Sequence, residues 1–227
     1  MSREEALKIA KPILFNTEMV RATLDGRKTQ TRRVVKLPVE ILKNGYSADD
    51  ISDVSIKNNI AYFKLGWLGR GGGVAVNPQY KKGDILYVRE TFCIGKKFGD
   101  NIGEWWSIDT DTPDKVFYKA DVIDTNFSDD DNLVKWKPSI HMPKKYARIF
   151  LRVTDVRVER LQDIGNNDAI KEGFNYEDTE IGFPNGWAGA TQTPRFSFAI
   201  DWNDEAKDGF KWEDNPYVFV YEFERIF

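Results

Sequence analysis

The sequence predicts an α+β fold that is mainly β: a small β-barrel, closed or nearly closed, with short flanking helices and inserted loops. Three observations predict it. Short runs of high β propensity recur at 12–15, 60–65, 85–88, 148–158 and 217–223, without the regular strand–helix alternation of a doubly wound sheet. Helical patterns are few, with one near the start and another just before the last strand, which suits a compact barrel. Aromatic residues make up 14% of the chain and apolar residues 41%, ample for a packed core and unlike a disordered chain. With no internal repeat and no linker, residues 1–227 read as a single domain with insertions at about 36–59 and 92–131.

Residues 2–9 suit one or two helical turns, with Ser2 as cap and Glu4 and Glu5 in the first turn, or equally a frayed end. The apolar run 12–15 reads as a short buried strand. Thr17 can cap a helix to Asp25, in which Val20, Thr23 and Leu24 share one face, and Gly26 can close it in the left-handed conformation. Residues 36–59 carry turn formers and a weak apolar rhythm, an excursion outside the core. The glycine-rich stretch 69–73 lacks the Gly-Lys-Ser/Thr that would make a phosphate loop, and reads as a hairpin or lid loop.

Gly83 and Asp84 make a turn before the strand 85–88. Residues 92–131 suggest an added hairpin, with Trp105 and Trp106 on it and an acidic tip at 129–131. The period-two alternation of Ile149, Leu151 and Val153 with Arg148, Phe150, Arg152 and Thr154 marks the clearest strand. A short helix follows within 161–173, capped by Asn166 or Asn167 and stopped by Gly173. Residues 181–190 form a Gly/Pro/Trp loop, Pro194 opens a helix to about Ala206, residues 212–216 turn, and 217–223 is a final buried strand.

The net charge of −3 and a pI near 5.4 exclude a broad positive field of the kind that coats nucleic acid. Any contact with a nucleotide must therefore be local. One cysteine, Cys93, forbids an intrachain disulfide, and one histidine, His141, leaves too few ligands for a His/Cys zinc site. No cofactor and no metal are expected. The first ten residues lack the apolar run of a signal peptide, and no segment has the ~18–20 apolar residues that span a bilayer. A cytoplasmic protein with no membrane partner is the expectation.

The densest local cluster is Gly26-Arg27-Lys28-Thr29-Gln30-Thr31-Arg32-Arg33, a basic helix-to-strand turn. In extended backbone Lys28, Gln30 and Arg32 face one way and Thr29, Thr31 and Arg33 the other. Arg89 and Glu90 end a strand, where opposite charges can orient other groups. Ser139 and His141 lie in a rigid segment between Pro138 and Pro143, candidates for substrate contact. Glu172 stands in the last turn of its helix, where the helix dipole disfavours a carboxylate and calls for a cationic partner.

These stretches, in this order, resemble the ASCH family of the PUA-like superfamily, and most of all a larger phage- and prophage-type branch of it. The matching segments are 26–33, which is similar to the family's Gly-x-Lys-Thr-x-Thr-x-Arg, then 83–90, 148–173 and 217–225. Residues 138–143 and 212–216 are recognisable in the phage-type branch. Together they cover about half the chain. The resemblance implies a small barrel with a cleft that binds RNA or a modified nucleoside or nucleobase, in the cytoplasm of a bacterium or phage-infected host. Such a cleft would be lined by Lys28, Thr31, Arg33, Arg89, Glu90, His141 and Glu172, with Arg32 and Ser139 as further contacts.

One small bacterial group in the family hydrolyses the amide of N4-acylated cytidine. Its catalytic lysine, threonine and glutamate correspond to Lys28, Thr31 and Glu172. Hydrolysis is thus the alternative to binding, and an accessory phage protein with an idle pocket is a third reading. The chain is about twice the length of those enzymes. The proposed chemistry also needs a kink near Lys28 and Thr29, to bring Lys28 and Thr31 to one side.

Overall fold

The computed structural model describes residues 1–38, 50–66, 73–95, 115–122, 136–175 and 193–227. The expectations for residues 69–72, the Trp105–Trp106 pair, the acidic tip and the loop 181–190 lie outside the described residues. The fold is mixed α+β and mostly sheet, with ten strands and four α-helices among the described residues. The chain divides into two compact units.

Unit one comprises Met1–Gly26, Ile85–Leu151 and Arg225–Phe227. Helix α1 (Arg3–Ile9) opens with a reciprocal capping box: the Ser2 hydroxyl accepts from the Glu5 amide, and the Glu5 carboxylate accepts from the Ser2 amide. Strand β1 (Lys11–Leu14) follows, then helix α2 (Thr17–Leu24). The cap of α2 is Asn16, not Thr17; its side chain accepts from the Met19 amide at 2.8 Å. Gly26 adopts φ +78° just beyond Asp25, as the helix end requires.

Strand β6 (Ile85–Arg89) pairs in parallel with β1, aligning Lys11 with Leu86 and Leu14 with Arg89. Strands β7 (Phe92–Gly95) and β8 (Lys115–Tyr118) form an antiparallel pair within residues 92–131. Phe92, Ile85, Tyr87, Met142 and Phe150 bury together with Ala6, Ala10 and Ala147 as this unit's core. The second insertion therefore feeds the core through Phe92.

Unit two comprises Arg27–Asp84 and Arg152–Glu224. Strand β2 (Gln30–Val34) pairs antiparallel with β10 (Tyr217–Arg225), aligning Gln30 with Glu222 and Val34 with Val218. Strand β9 (Phe150–Arg160), which unit two enters at Arg152, is the next neighbour of β10. Strands β3 (Ile51–Lys57), β4 (Ile60–Leu65) and β5 (Gly73–Val76) form a separate antiparallel meander. The excursion expected at 36–59 thus contributes a strand. Its turn is Asn58-Asn59, both at positive φ, the geometry that two-residue hairpins prefer.

Helix α3 (Asn166–Lys171) is capped by Gly165 and ends before Gly173 at φ +111°. Helix α4 (Pro194–Glu205) starts as expected, with the Thr193 side chain capping the Phe196 amide. Leu161, Ile164, Ala169, Phe198, Val218 and Val220 form this unit's core, with Phe174, Trp202 and Trp212 packed against them.

The expected barrel closure is corrected. β1 and β2 are edge strands, and β3–β5 and β7–β8 stand as sheets of their own, so no sheet among the described residues closes on itself. The β runs of the sequence are real, but a strand's own pattern does not say which neighbour its open edge finds.

Candidate functional site

The segment after Gly26 lies along the last turn of α3, in unit two. The Thr29 amide donates to the Lys171 carbonyl at 2.8 Å, and the Gln30 side-chain amide donates to the Asp168 carbonyl at 2.9 Å. Arg27 donates to the Gly173 carbonyl at 2.6 Å. The alternation expected of an extended chain places Lys28, Gln30 and Arg32 toward this helix. A helix ends with unpaired carbonyls and a partial negative charge, so cations and donors gather there.

Glu172 closes the helix, its amide donating to Asp168 and Ala169. Its carboxylate meets the cationic partner that its position demanded, and in fact two. Lys28 Nζ donates to Oε2 at 2.8 Å and to the Glu172 backbone carbonyl at 2.8 Å. Arg32 Nη1 donates to Oε1 at 2.9 Å. Lys28 is 2% exposed and Glu172 4%.

Burial lowers the Lys28 pKa from its ordinary value. The Glu172 charge and hydrogen bond oppose that, the Arg33 charge lowers it further, and Asp201 raises it.

Thr31 is buried, and its hydroxyl accepts from Arg33 Nη1 at 3.1 Å. Arg33 also donates to the Arg32 carbonyl. The structure thus joins two of the three expected catalytic residues, Lys28 and Glu172, and gives the third, Thr31, an arginine partner.

Arg32, expected among the substrate contacts, spends its guanidinium on carboxylates. Besides Glu172 it donates to Glu159 Oε1 from Nε at 3.1 Å and Nη2 at 2.5 Å, and it approaches Asp168 at 3.4 Å. Arg157 continues the network to Glu159, Asp168 and Glu222.

Sequence reasoning missed Glu159, Asp168, Arg157 and Asp201. Arg157 and Glu159 sit two apart on one face of β9, a charged pair at strand spacing that was there to be read. Asp201, on α4 three residues after the buried Phe198, carries a carboxyl pushed up to about 6. Burial is the main cause and the Glu205 charge adds to it, while Lys28 pulls the other way.

The remaining expected residues lie in unit one. Arg89 and Glu90 do not act as a matched couple. The buried Glu90 carboxylate holds Arg148 in a bidentate pair at 2.9 and 2.8 Å, because strand alternation sends neighbouring side chains to opposite faces. Arg148 also binds Asp121 at 2.7 Å and stacks over the Tyr118 ring at 4.0 Å. Arg89 donates to the Ile140 carbonyl, at the one-turn helix Ser139–His141, where His141 is exposed and Ser139 half-buried.

Among the described residues no group of three His, Cys, Asp or Glu side chains could hold a metal ion. Among them, too, no helix is long and apolar enough to cross a membrane. Comparison with known protein families, with proteins of curated function and with solved structures found no match to this chain.

Proposed function

We propose that unit two recognises a nucleobase or modified nucleoside, in the manner of a PUA-like domain of the ASCH type, at the centre formed by Lys28 and Glu172. The observation that carries this reading is the 2.8 Å bond between these two side chains, 144 residues apart in the chain. Both stand at positions that resemble the family's motif, and their side chains are in contact. A cation and a carboxylate side by side, with the Thr31 hydroxyl and Arg33 on the same segment, offer the donors and acceptors that an unstacked base edge requires. The acidic chain suits a small ligand or a single displaced base better than a long nucleic acid.

The test is calorimetric titration with cytidine, N4-acetylcytidine and a short single-stranded RNA, at two salt concentrations. Saturable nucleoside binding with a shallow salt dependence, lost in Lys28→Met, is the expected result. If none of the three ligands binds saturably, the reading fails.

A second reading, amide hydrolysis of an N4-acylated cytosine, is favoured by the lowered proton affinity of Lys28. For this chemistry the chain must bend at Lys28 and Thr29, so that a neutral Lys28 reaches the Thr31 hydroxyl and takes its proton as the oxygen attacks the acyl carbon. The C–N bond would break with that proton passed to the leaving amine, and water would then release the acyl group from Thr31. Chromatography after incubation with N4-acetylcytidine decides it. Cytidine released by the protein and not by Lys28→Ala supports hydrolysis, and no release removes it.

A further inference from the structure

Among the described residues Arg32 is one of the largest fully buried side chains, and its guanidinium is bound by carboxylates. A guanidinium has five N–H donors in a fixed plane and stays charged. Here Nη1 is committed to Glu172, and Nε and Nη2 to Glu159, with Asp168 alongside. The Phe198 ring lies 5.8 Å from the guanidinium carbon, so the fork is held from the side by packing. Little of it remains to offer a ligand.

The carboxylate of Glu172 is therefore divided. Oε1 belongs to Arg32 and Oε2 to Lys28. We propose that Arg32 is a positioning residue: it holds one oxygen of Glu172, turns the other toward Lys28, and so sets how readily the Lys28 ammonium gives up its proton.

Two effects would act in the same direction. Arg32 shares the Glu172 negative charge that would otherwise act on Lys28 alone. It also sets a second cation on the carboxylate that holds the ammonium, and like charges disfavour each other. Removing Arg32 reverses both. The other charges that act on Lys28 are Arg33 from β2 and Asp201 from α4, and neither is altered by the change. Glu159 offers the opposite lever. Without its charge, Arg32 is left more fully to Glu172, so Lys28 releases its proton more easily.

The inference rests on Lys28 being the centre of the proposed site, but its test reads the amine without a ligand. The protein is labelled at the lysine ε-carbons, and the Lys28 resonance is identified by its loss in Lys28→Met. Its pH titration is then followed by NMR in the native chain, Arg32→Gln and Glu159→Gln. Arg32→Gln should raise the midpoint by about one pH unit or more, the scale of one nearby charge, and Glu159→Gln should lower it.

Unchanged midpoints, or shifts of the same sign in both variants, overturn the proposal. If Arg32→Gln does not fold, Glu159→Gln decides alone: a lowered midpoint supports it, and an unchanged or raised one overturns it. Opposite shifts in a protein that binds no nucleoside would leave this role of Arg32 standing and remove only the ligand reading.

Discussion

The Lys28 ammonium is bound twice to the same residue: Glu172 receives it on a side-chain oxygen and on its backbone carbonyl, each at 2.8 Å. The two partners of this ion pair are not equivalent. Glu172 keeps Arg32 when Lys28 is removed, whereas Glu172→Ala strips a buried ammonium of its carboxylate. Glu172→Ala should therefore cost about 3–5 kcal/mol at neutral pH, the usual cost of removing one partner of a buried ion pair, and Lys28→Met clearly less. Denaturant unfolding of the two variants measures the difference.

That penalty should shrink as pH rises. The folded pKa of Lys28 lies below its ordinary 10.5, so the folded chain releases this proton before the unfolded chain does. Stability from this group then increases from the lowered folded value up to 10.5. In Glu172→Ala the folded value falls further and the window widens. A penalty that stays constant between neutral pH and pH 10 would contradict this.

Asp201 works with the opposite sign. Its carboxyl is raised from 3.8 to about 6, so the folded state binds the proton more tightly than the unfolded one. Its favourable contribution is complete below the ordinary value and is lost as pH rises through about 6. Asp201→Asn should flatten the stability profile across that interval and stabilise the protein at pH 7. Thermal unfolding at closely spaced pH values checks both.

In unit one, Arg148→Met should leave the Glu90 carboxylate buried without its bidentate partner. Burial already raises the Glu90 pKa against the pull of Arg148, and losing Arg148 raises it more. The variant should lose about 3–5 kcal/mol at pH 7, and less in acid, where Glu90 can take up a proton. The lost stacking on Tyr118 adds about 0.5–2 kcal/mol that no pH change restores.

Cys93 is buried, with its thiol pushed up to about 11 by burial. It should resist a thiol-specific disulfide reagent in the native protein and react within seconds once the chain is unfolded. Equal rates in both states would mean that the β7–β8 pair opens readily.

Much of this was legible. Ser2 is legible as the cap of the first helix, and there it forms a reciprocal box with Glu5. The alternation of 28–33 sorted Lys28, Gln30 and Arg32 onto the helix side, and a carboxylate at a helix end needed a cation and found two. What stayed hidden depends on partners distant in sequence. The edges of β1 and β2 stay open, which no pattern within either strand declares. Glu90 chose Arg148 over adjacent Arg89, because adjacency in a strand is separation in space. The sequence offers Arg32 as a substrate contact and does not show its carboxylate partners, since Glu159 and Asp168 lie more than a hundred residues away. One miss was avoidable: Asn58-Asn59 before an apolar run marks a hairpin, and β3 was its first arm.

Because the Lys28 anchorage includes a main-chain carbonyl, the position of that amine is encoded partly in a length rather than in a residue type. Gly173 stops α3 where the carbonyl of Glu172 faces Lys28. One residue inserted into α3 would turn everything beyond it by about 100°, carrying that carbonyl away while every side chain of the motif remained. A chain could thus keep Lys28, Thr31 and Glu172 by identity and still lose the arrangement, so the distance from Gly165 to Gly173 is as much a part of the motif as its letters.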